Sequence, residues 1–401
     1  MALLWWAGAS AHALHLRGAS GAIGDRATAE LDRWLIPWSY DPPPVLNLGT
    51  DLPGETGGAA GTGSARYLGL YTTSLQIRFA ALFAFFVPGA MLLIRGLPPV
   101  RGRTAAALLA VWAWGLVAGT LAMAVSAPWM IASFGHGSYR FLPQLASVID
   151  SGRQVLVATS LVAAAVTVVV ARAALKGADR PAPSQVPSQV PSQVPAQVPA
   201  RAPALNAVPA RSARMAATVG TAVIALSLLV LSYHPVAAEI QTVSPGAGLL
   251  ADPGDLLRQW LLLGAWDSPA GVPLGDWLLA RTADVLLLAV VWWALRALPA
   301  LLTRATVPAM AVGAVCATVL GLLAVQLLRV ATDGTGTRWG LLPLFAGIGG
   351  GVPAALTFGL AAGAAAAVTL RLGASRTEPA EAAPEAAPEA AAAPGRGAAP
   401  G

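Results

Sequence analysis

The sequence predicts an all-α polytopic membrane protein with eight transmembrane helices, arranged as two parallel four-helix repeats. Of the 401 residues, 56% are hydrophobic and 11% are charged, whereas soluble domains hold about 45–50% apolar and about 25% charged residues. Seven stretches are long and apolar enough to cross a bilayer, and short motifs recur in the two halves about 200 residues apart. This composition excludes an ordinary soluble enzyme and a disordered regulator.

Each predicted span holds about 20 mostly apolar residues, the length needed to cross about 30 Å of hydrocarbon. The stretch Ala2 to Leu16 is apolar but short, and it lacks the basic residues that open a signal peptide. We expect it to be an eighth helix, either tilted or shortened by a misplaced start. The other seven spans are predicted at 71–95, 104–126, 153–173, 215–235, 279–301, 306–330 and 350–371.

The distribution of basic residues predicts the orientation, because cytoplasmic loops are enriched in arginine and lysine. With both termini in the cytoplasm, the inner loops and tail hold more basic residues than the outer loops, and most acids lie outside. We therefore expect a multi-pass protein of the cell membrane with cytoplasmic N- and C-termini. All the basic residues except Lys176 are arginine, which indicates GC-rich coding, so no nucleic-acid partner is expected.

An internal duplication is predicted by motifs that recur in the same order in both halves. Units of four spans face the same way, so they form a parallel repeat about an axis along the membrane normal, as in one class of transporters. The matched motifs are Arg95–Pro98 with Arg296–Pro299, Gly135–Ser138 with Gly334–Thr337, and Arg172 with Arg371.

Four regions follow from the duplication. Proline at every fourth position from Pro183 to Val198 predicts an extended spacer between the units. The glycine-rich stretch Gly54–Ser64 is expected to be a mobile loop. The regions are a first unit at 1–173 with a long extracytoplasmic loop at 17–70, a linker at 174–213, a second unit at 214–372, and a disordered tail at 373–401 rich in Glu, Ala and Pro.

Tryptophans in the two long outer loops are the first candidate binding residues. Trp34 and Trp38 lie in a segment that resembles the stretch containing Trp260 and Trp266. The apolar spacing of residues 255–266 predicts a short amphipathic helix at the outer interface, with its indole rings at the level of the lipid headgroups. The pair of segments is interpreted either as a gate or lid over a central cavity, or as a packing plug or interface anchor.

Ionisable residues near the outer ends of the spans are the second candidates. Charges inside lipid are expensive and usually face a partner or water. Arg78 lies in the second span, and Arg281 and Asp284 are three residues apart on the matching span, where they can pair on one helix face. The alternative is that all three reach the nearby interface and are satisfied by water.

Other chemistry-bearing signals are sparse. The single cysteine, Cys316, excludes an internal disulfide, and the histidines, all on the predicted outer side, have no carboxylate at ligand spacing, so no cofactor or metal is expected. Cys316 and Gln326 are the notable polar groups deep in a span. Gly359 and Gly363, four residues apart, predict close helix packing.

The sequence leaves three classes of function open and favours a non-enzymatic role. The first is a small-solute permease or carrier with its path between the two units. The second is a non-catalytic scaffold subunit of a cell-envelope complex, because the spans are nearly free of charge. The third is a transferase acting on lipid-linked substrates at the outer face. The lipid bilayer is the expected partner, and membrane-protein partners or a homo-oligomer stay open.

Overall fold

The computed structural model describes residues 28–29, 34–40, 60–99, 102–134, 140–178, 209–231, 233–263, 271–303, 305–332 and 351–375. Within these ranges every regular element is helical, apart from an isolated antiparallel bridge between Arg140 and Leu250. A short 3-10 helix at Ile36–Trp38 precedes ten longer helices. These are α1 (Ala60–Gly96), α2 (Thr104–Ser133), α3 (Phe141–Ser151), α4 (Arg153–Ala178), α5 (Ala210–Leu226), α6 (His234–Thr242), α7 (Gly254–Leu261), α8 (Leu274–Leu301), α9 (Val307–Thr332) and α10 (Val352–Ser375).

Seven helices in the described part of the chain are long and apolar enough to cross a membrane. They overlap the seven longer predicted spans, and the helical, apolar character of the described residues is that of a polytopic membrane protein. The eighth predicted span, Ala2 to Leu16, lies outside the described residues. The apolar helices are Arg66–Gly96, Thr104–Ser133, Arg153–Leu175, Ala210–Leu231, Leu274–Leu301, Val307–Thr332 and Val352–Gly373.

The first of these helices begins earlier than the sequence predicted. Helix α1 begins at Ala60, inside both the predicted mobile loop Gly54–Ser64 and the predicted outer loop 17–70. The prediction of a loop is therefore wrong for residues 60–64, which are helical. Extending a helix that an apolar span has already nucleated adds one hydrogen bond per residue, so the polar residues that precede the span continue its helix.

Two further helices have bounds that differ from the predicted spans, and a proline lies near each difference. Helix α2 continues past the predicted end at 126 to Ser133 and contains Pro128. Membrane helices tolerate such a proline because neighbouring groups satisfy the freed carbonyl. The predicted span 215–235 instead ends with a π-helical turn at Ser227–Leu231. Pro235 then occupies the first turn of α6, where its missing N–H is not needed.

Helices α2 and α9 form the centre of the bundle and pack against each other. In each of them, 56% of the most apolar stretch is buried, a larger share than in any other described span. The Cys316 thiol of α9 donates a hydrogen bond to the Ala110 carbonyl of α2 at 3.3 Å. Helices α1 and α4 flank α2, and α8 and α10 flank α9. The central pair therefore joins the two halves of the chain.

Close packing between α9 and α10 confirms the interpretation of the glycine pair. A Cβ atom at Gly359 would lie 2.7 Å from the Val315 Cα, and one at Gly363 would lie 2.5 Å from the Ala311 Cα. Both distances are shorter than van der Waals contact. These glycines therefore let the two helix backbones approach each other directly.

Candidate functional site

A cleft of about 810 Å³ lies between the two halves of the chain. Its first-half wall is formed by α3 and the start of α4, and its second-half wall by α6, α7 and the last turns of α9. This is the end of the bundle where α4 and α10 begin and α9 ends, called here the cleft end. In the predicted orientation it faces the outside.

The cleft extends well into the bundle. Leu322 lines it and lies roughly 15 Å from the Thr332 end of α9, at about 1.5 Å per residue. Gly351 and Leu263 also line it, and a Cβ atom at Gly351 would lie 2.8 Å from a Leu322 methyl carbon. Gln326, one of the two polar residues noted deep in a span, also faces the cleft.

Polar side chains converge on the cleft from five elements, although the spans are otherwise nearly bare of charge. The sequence does not indicate this set as one site, because its members are distant from each other in the chain. The polar lining consists of Ser147, Asp150, Arg153, His234, Gln241, Asp255, Arg258, Gln259, Gln326 and Arg329. Such a mixture of convergent polar groups in a concave site is typical of ligand-binding pockets.

Helix α7 forms a wall of the cleft and contacts both halves. The Gln259 side-chain amide donates a hydrogen bond to the Ala146 carbonyl of α3 at 2.9 Å. A Cβ atom at Gly254 would lie 2.5 Å from the Gln241 carbonyl oxygen, so the start of α7 packs tightly on the end of α6. The helix is therefore held in place against both sides of the cleft.

At the opposite end of the bundle, Arg103 joins the halves. Its guanidinium donates through Nη1 to the Leu301 carbonyl at 3.1 Å and through Nη2 to the Ala300 carbonyl at 3.2 Å. These carbonyls end α8, where backbone oxygens lack partners within the helix and favour a cation. Arg103 thus ties the beginning of α2 to the end of α8.

Thr303 adds two further bonds between the halves at this end. Its backbone N–H donates to the Gly96 carbonyl at 3.0 Å, and its hydroxyl donates to the Arg95 carbonyl at 3.3 Å. We call the four bonds made by Arg103 and Thr303 the clamp, and this end of the bundle the clamp end. Bonds therefore join the halves at both ends: the clamp at one end, and at the other the Gln259–Ala146 bond and the Arg140–Asp252 ion pair, at 3.3 Å, beside the cleft.

The predicted candidates in the first half form a separate, buried cluster. Trp38 is fully buried, and its indole N–H donates to the Gly152 carbonyl at 2.9 Å. The Tyr71 hydroxyl donates to the Ser39 carbonyl at 2.7 Å. Trp34 is also buried. Segment 34–40 is therefore fixed to the helices of its own half.

Arg78 belongs to the same cluster and is only 1% exposed. Its Nε donates to the Ser126 hydroxyl at 2.9 Å, and its Nη1 donates to the Pro37 carbonyl. The guanidinium lies 5.5 Å from the centre of the Trp38 ring, a cation–π distance. The alternative that Arg78 reaches the interface and is satisfied by water is wrong, because segment 34–40 covers it.

Tyr40 closes the outer edge of this cluster. Its ring stacks on Phe79 with a centroid separation of 5.7 Å. Burial raises the pKa of the Tyr40 phenol above its ordinary value, because the phenolate would lose hydration there. The phenol is therefore uncharged at neutral pH and acts as a packing group.

The candidates in the second half are more exposed. Arg281 and Asp284 form the predicted ion pair at 2.9 Å, with about a quarter of each side chain exposed. Trp260 on α7 is half-buried, and Trp266 lies outside the described residues. None of the predicted candidates that the structure describes lines the cleft.

The lining residues define what the cleft can bind. Among the described residues, no group of three His, Cys, Asp or Glu side chains is arranged to hold a metal ion. The cleft instead offers guanidinium, amide, imidazole and carboxylate groups, which recognise polar solutes by hydrogen bonds and charge. No family model, no curated protein and no solved structure matches the chain.

Proposed function

We propose that the protein is a small-solute permease or carrier built from an internal duplication, with the cleft as its solute-binding site. One observation supports this most directly: the two halves border a polar cleft at one end, where the Gln259–Ala146 bond and the Arg140–Asp252 ion pair cross beside it, and are joined by the clamp at the other. This is the geometry of a carrier open to one side. In the predicted orientation, that side is the outside.

The strength of the clamp suits a carrier cycle. Each of its four bonds contributes about 0.5–1.5 kcal/mol, and the hydroxyl bond of Thr303 and one Arg103 bond are exposed to water. Micromolar binding of a solute releases about 8 kcal/mol. Ligand binding can therefore supply enough free energy to break the clamp bonds while the cleft closes around the solute.

The central helix pair offers the pivot for such a movement. Helices α2 and α9 meet in the middle of the bundle through small and apolar residues and the Cys316–Ala110 contact. A small rotation about this contact widens one end and narrows the other. In the proposed duplication, α2 and α9 are matching helices, so the axis relating the two units would pass between them.

Site-directed thiol labelling tests the proposal. Cys316 is the only cysteine and is buried, so Cys316→Ala gives a cysteine-free background. In that background Gln326→Cys reports on the cleft, and Leu302→Cys, buried at the clamp end, reports on the other end. In detergent solution, where the reagent reaches both ends of the bundle, we expect a hydrophilic maleimide to label the first reporter quickly and the second slowly.

Breaking the clamp should reverse this pattern. Arg103→Gln is expected to speed labelling of Leu302→Cys and to slow labelling of Gln326→Cys. Arg296→Gln is the matched control, since Arg296 is an arginine near the clamp end that stacks on Trp292 of its own helix, 5.3 Å from the ring centre. Labelling rates that Arg103→Gln leaves unchanged would contradict a carrier and favour the scaffold alternative.

A second candidate is a transferase acting on lipid-linked substrates at the outer face. It is favoured by Asp255 and His234, which bring a carboxylate and an imidazole into the same cleft, the groups that most often serve as acid and base. This alternative predicts that the cleft stays open to one side throughout the reaction. The same labelling experiment therefore separates the two proposals.

A further inference from the structure

The charges that line the cleft are unequally partnered. The Arg153 guanidinium forms an ion pair with the Asp150 carboxylate, and its Nε donates to the Asp150 carbonyl at 2.9 Å. Their spacing of three residues holds both groups on one side of the chain where α3 ends and α4 begins. This pair is electrically neutral as seen by a solute in the cleft.

Arg258 and Arg329 have no such partner. They line the cleft from different elements, α7 and α9, and no ion pair joins either of them to another residue in the part of the chain that the structure describes. The other described acid in the lining, Asp255, forms no ion pair either. Two arginines against one aspartate leave one net positive charge.

Hydrogen-bond donors elsewhere in the cleft lining strengthen the preference for an anion. Gln241, Gln326 and Ser147 each bring a donor to the cleft wall. The Gln259–Ala146 bond fixes α7, so the backbone that bears Arg258 is positioned before a ligand arrives. Preorganised donors bind an anion with less loss of conformational entropy.

We infer that the cleft binds a small anion through its carboxylate or phosphate oxygens, held between Arg258 and Arg329. The inference rests on the proposed function, since it names the class of solute carried. The guanidinium group presents parallel N–H donors that match the two oxygens of such anions. A cleft of about 810 Å³ accommodates an organic anion of metabolite size as well as inorganic phosphate.

The same oxyanion chemistry has two sources at this location. A dissolved solute enters the cleft from the aqueous phase, and a phospholipid headgroup enters it from the neighbouring leaflet, because the cleft opens where the spans end. Both would use the two arginines in the same way. The test therefore needs one arm without anionic lipid and one arm with it.

The test measures binding of radiolabelled inorganic phosphate to the full-length protein by equilibrium dialysis. The first arm uses protein in uncharged detergent without added lipid, and the second uses nanodiscs with and without phosphatidylglycerol. The variants are Arg258→Gln and Arg329→Gln. The matched control is Arg66→Gln, which removes an exposed arginine at the same end of the bundle but outside the cleft.

In detergent we expect saturable phosphate binding that each cleft variant weakens by at least about tenfold, whereas Arg66→Gln leaves it within about twofold. Phosphatidylglycerol that competes with phosphate only when both arginines are present would assign the same site to a headgroup. Binding that neither cleft variant changes, or that Arg66→Gln weakens equally, would overturn the inference. Absence of saturable binding in both arms would also overturn it.

Failure of this inference and failure of the carrier proposal give different results. Phosphate binding that depends on Arg258 and Arg329, together with clamp-end labelling that never changes, would leave an anion-binding site on a protein that is not a carrier. Labelling that alternates between the two ends without arginine-dependent binding would leave a carrier for a different class of solute.

Discussion

Two segments that resemble each other in sequence have different positions in the two halves. Segment 34–40 is fixed to its own half, with Trp38 buried and hydrogen-bonded to the Gly152 carbonyl. Helix α7 instead reaches the other half through Gln259 and presents Arg258 to the cleft. The first segment is therefore a buried packing element of its own half, and the second is a wall of the cleft.

The arginines on the matching spans show the same contrast, since the first-half arginine is buried and the second-half arginine is partly exposed. Arg78 is buried and donates to a hydroxyl and a carbonyl, while its Nη2 has no hydrogen-bond partner and no carboxylate forms an ion pair with it among the described residues. Arg281 is partly exposed and pairs with Asp284 on its own helix. Buried groups depend on every partner, whereas exposed ion pairs contribute little. Substitutions should therefore affect the first half more strongly.

The largest effect is expected for Arg78→Met. Losing the guanidinium leaves the Pro37 carbonyl and the Ser126 hydroxyl without their donor and releases segment 34–40, so we expect the free energy of unfolding to fall by about 2–3 kcal/mol. The measurement is an SDS titration of the purified protein. Arg281→Met, the matched control, should lose less than about 1 kcal/mol. Equal losses of unfolding free energy in the two variants would contradict the proposed difference between the halves.

A smaller loss is expected for Trp38→Phe. The ring volume is nearly kept, but the Gly152 carbonyl loses its donor, so the free energy of unfolding should fall by about 1–2 kcal/mol in the same titration. Trp260→Phe removes an indole that is only half-buried on α7 and should lose under about 0.5 kcal/mol. If Trp260→Phe lowers the free energy of unfolding more than Trp38→Phe does, α7 rather than segment 34–40 contributes more to stability.

Gln259→Leu tests the link between α7 and the first half. The Ala146 carbonyl loses its partner, at a cost of about 1 kcal/mol, and α7 moves away from α3. In the cysteine-free background, maleimide labelling of Ser147→Cys should rise about twofold to threefold. Gln241→Leu, which changes a lining amide without breaking a described bond between the halves, should leave that rate unchanged. A rise in both variants would mean that cleft polarity, not α7 position, sets the rate.

The smallest effect is expected for the Arg281–Asp284 pair itself. A double-mutant cycle of Arg281→Gln and Asp284→Asn should give a coupling free energy of about 0.3–0.5 kcal/mol, because ion pairs that keep contact with water are weak. The coupling should also fall as salt is added. A coupling above about 2 kcal/mol would place this pair in a dry site and make it equivalent to Arg78.

The seven described spans could be predicted because burying charge in lipid is costly, so each span is apolar in its own sequence. The burial of Arg78 could not, since it depends on segment 34–40 folding back over the spans. The cleft was not predictable either, because Asp150, His234 and Arg329 come from separate elements. The signal that could have indicated it was Gln326, an amide within a span that needs a polar surrounding.

The central claim is that the cleft and the clamp open alternately, and spin-label distance measurements test it most directly. In the cysteine-free background, Ser147→Cys with Ala237→Cys spans the cleft, and Ala105→Cys with Thr306→Cys, both exposed, spans the clamp end. We predict that Arg103→Gln shortens the first distance and lengthens the second. A single distance in each pair that Arg103→Gln leaves unchanged would contradict the account.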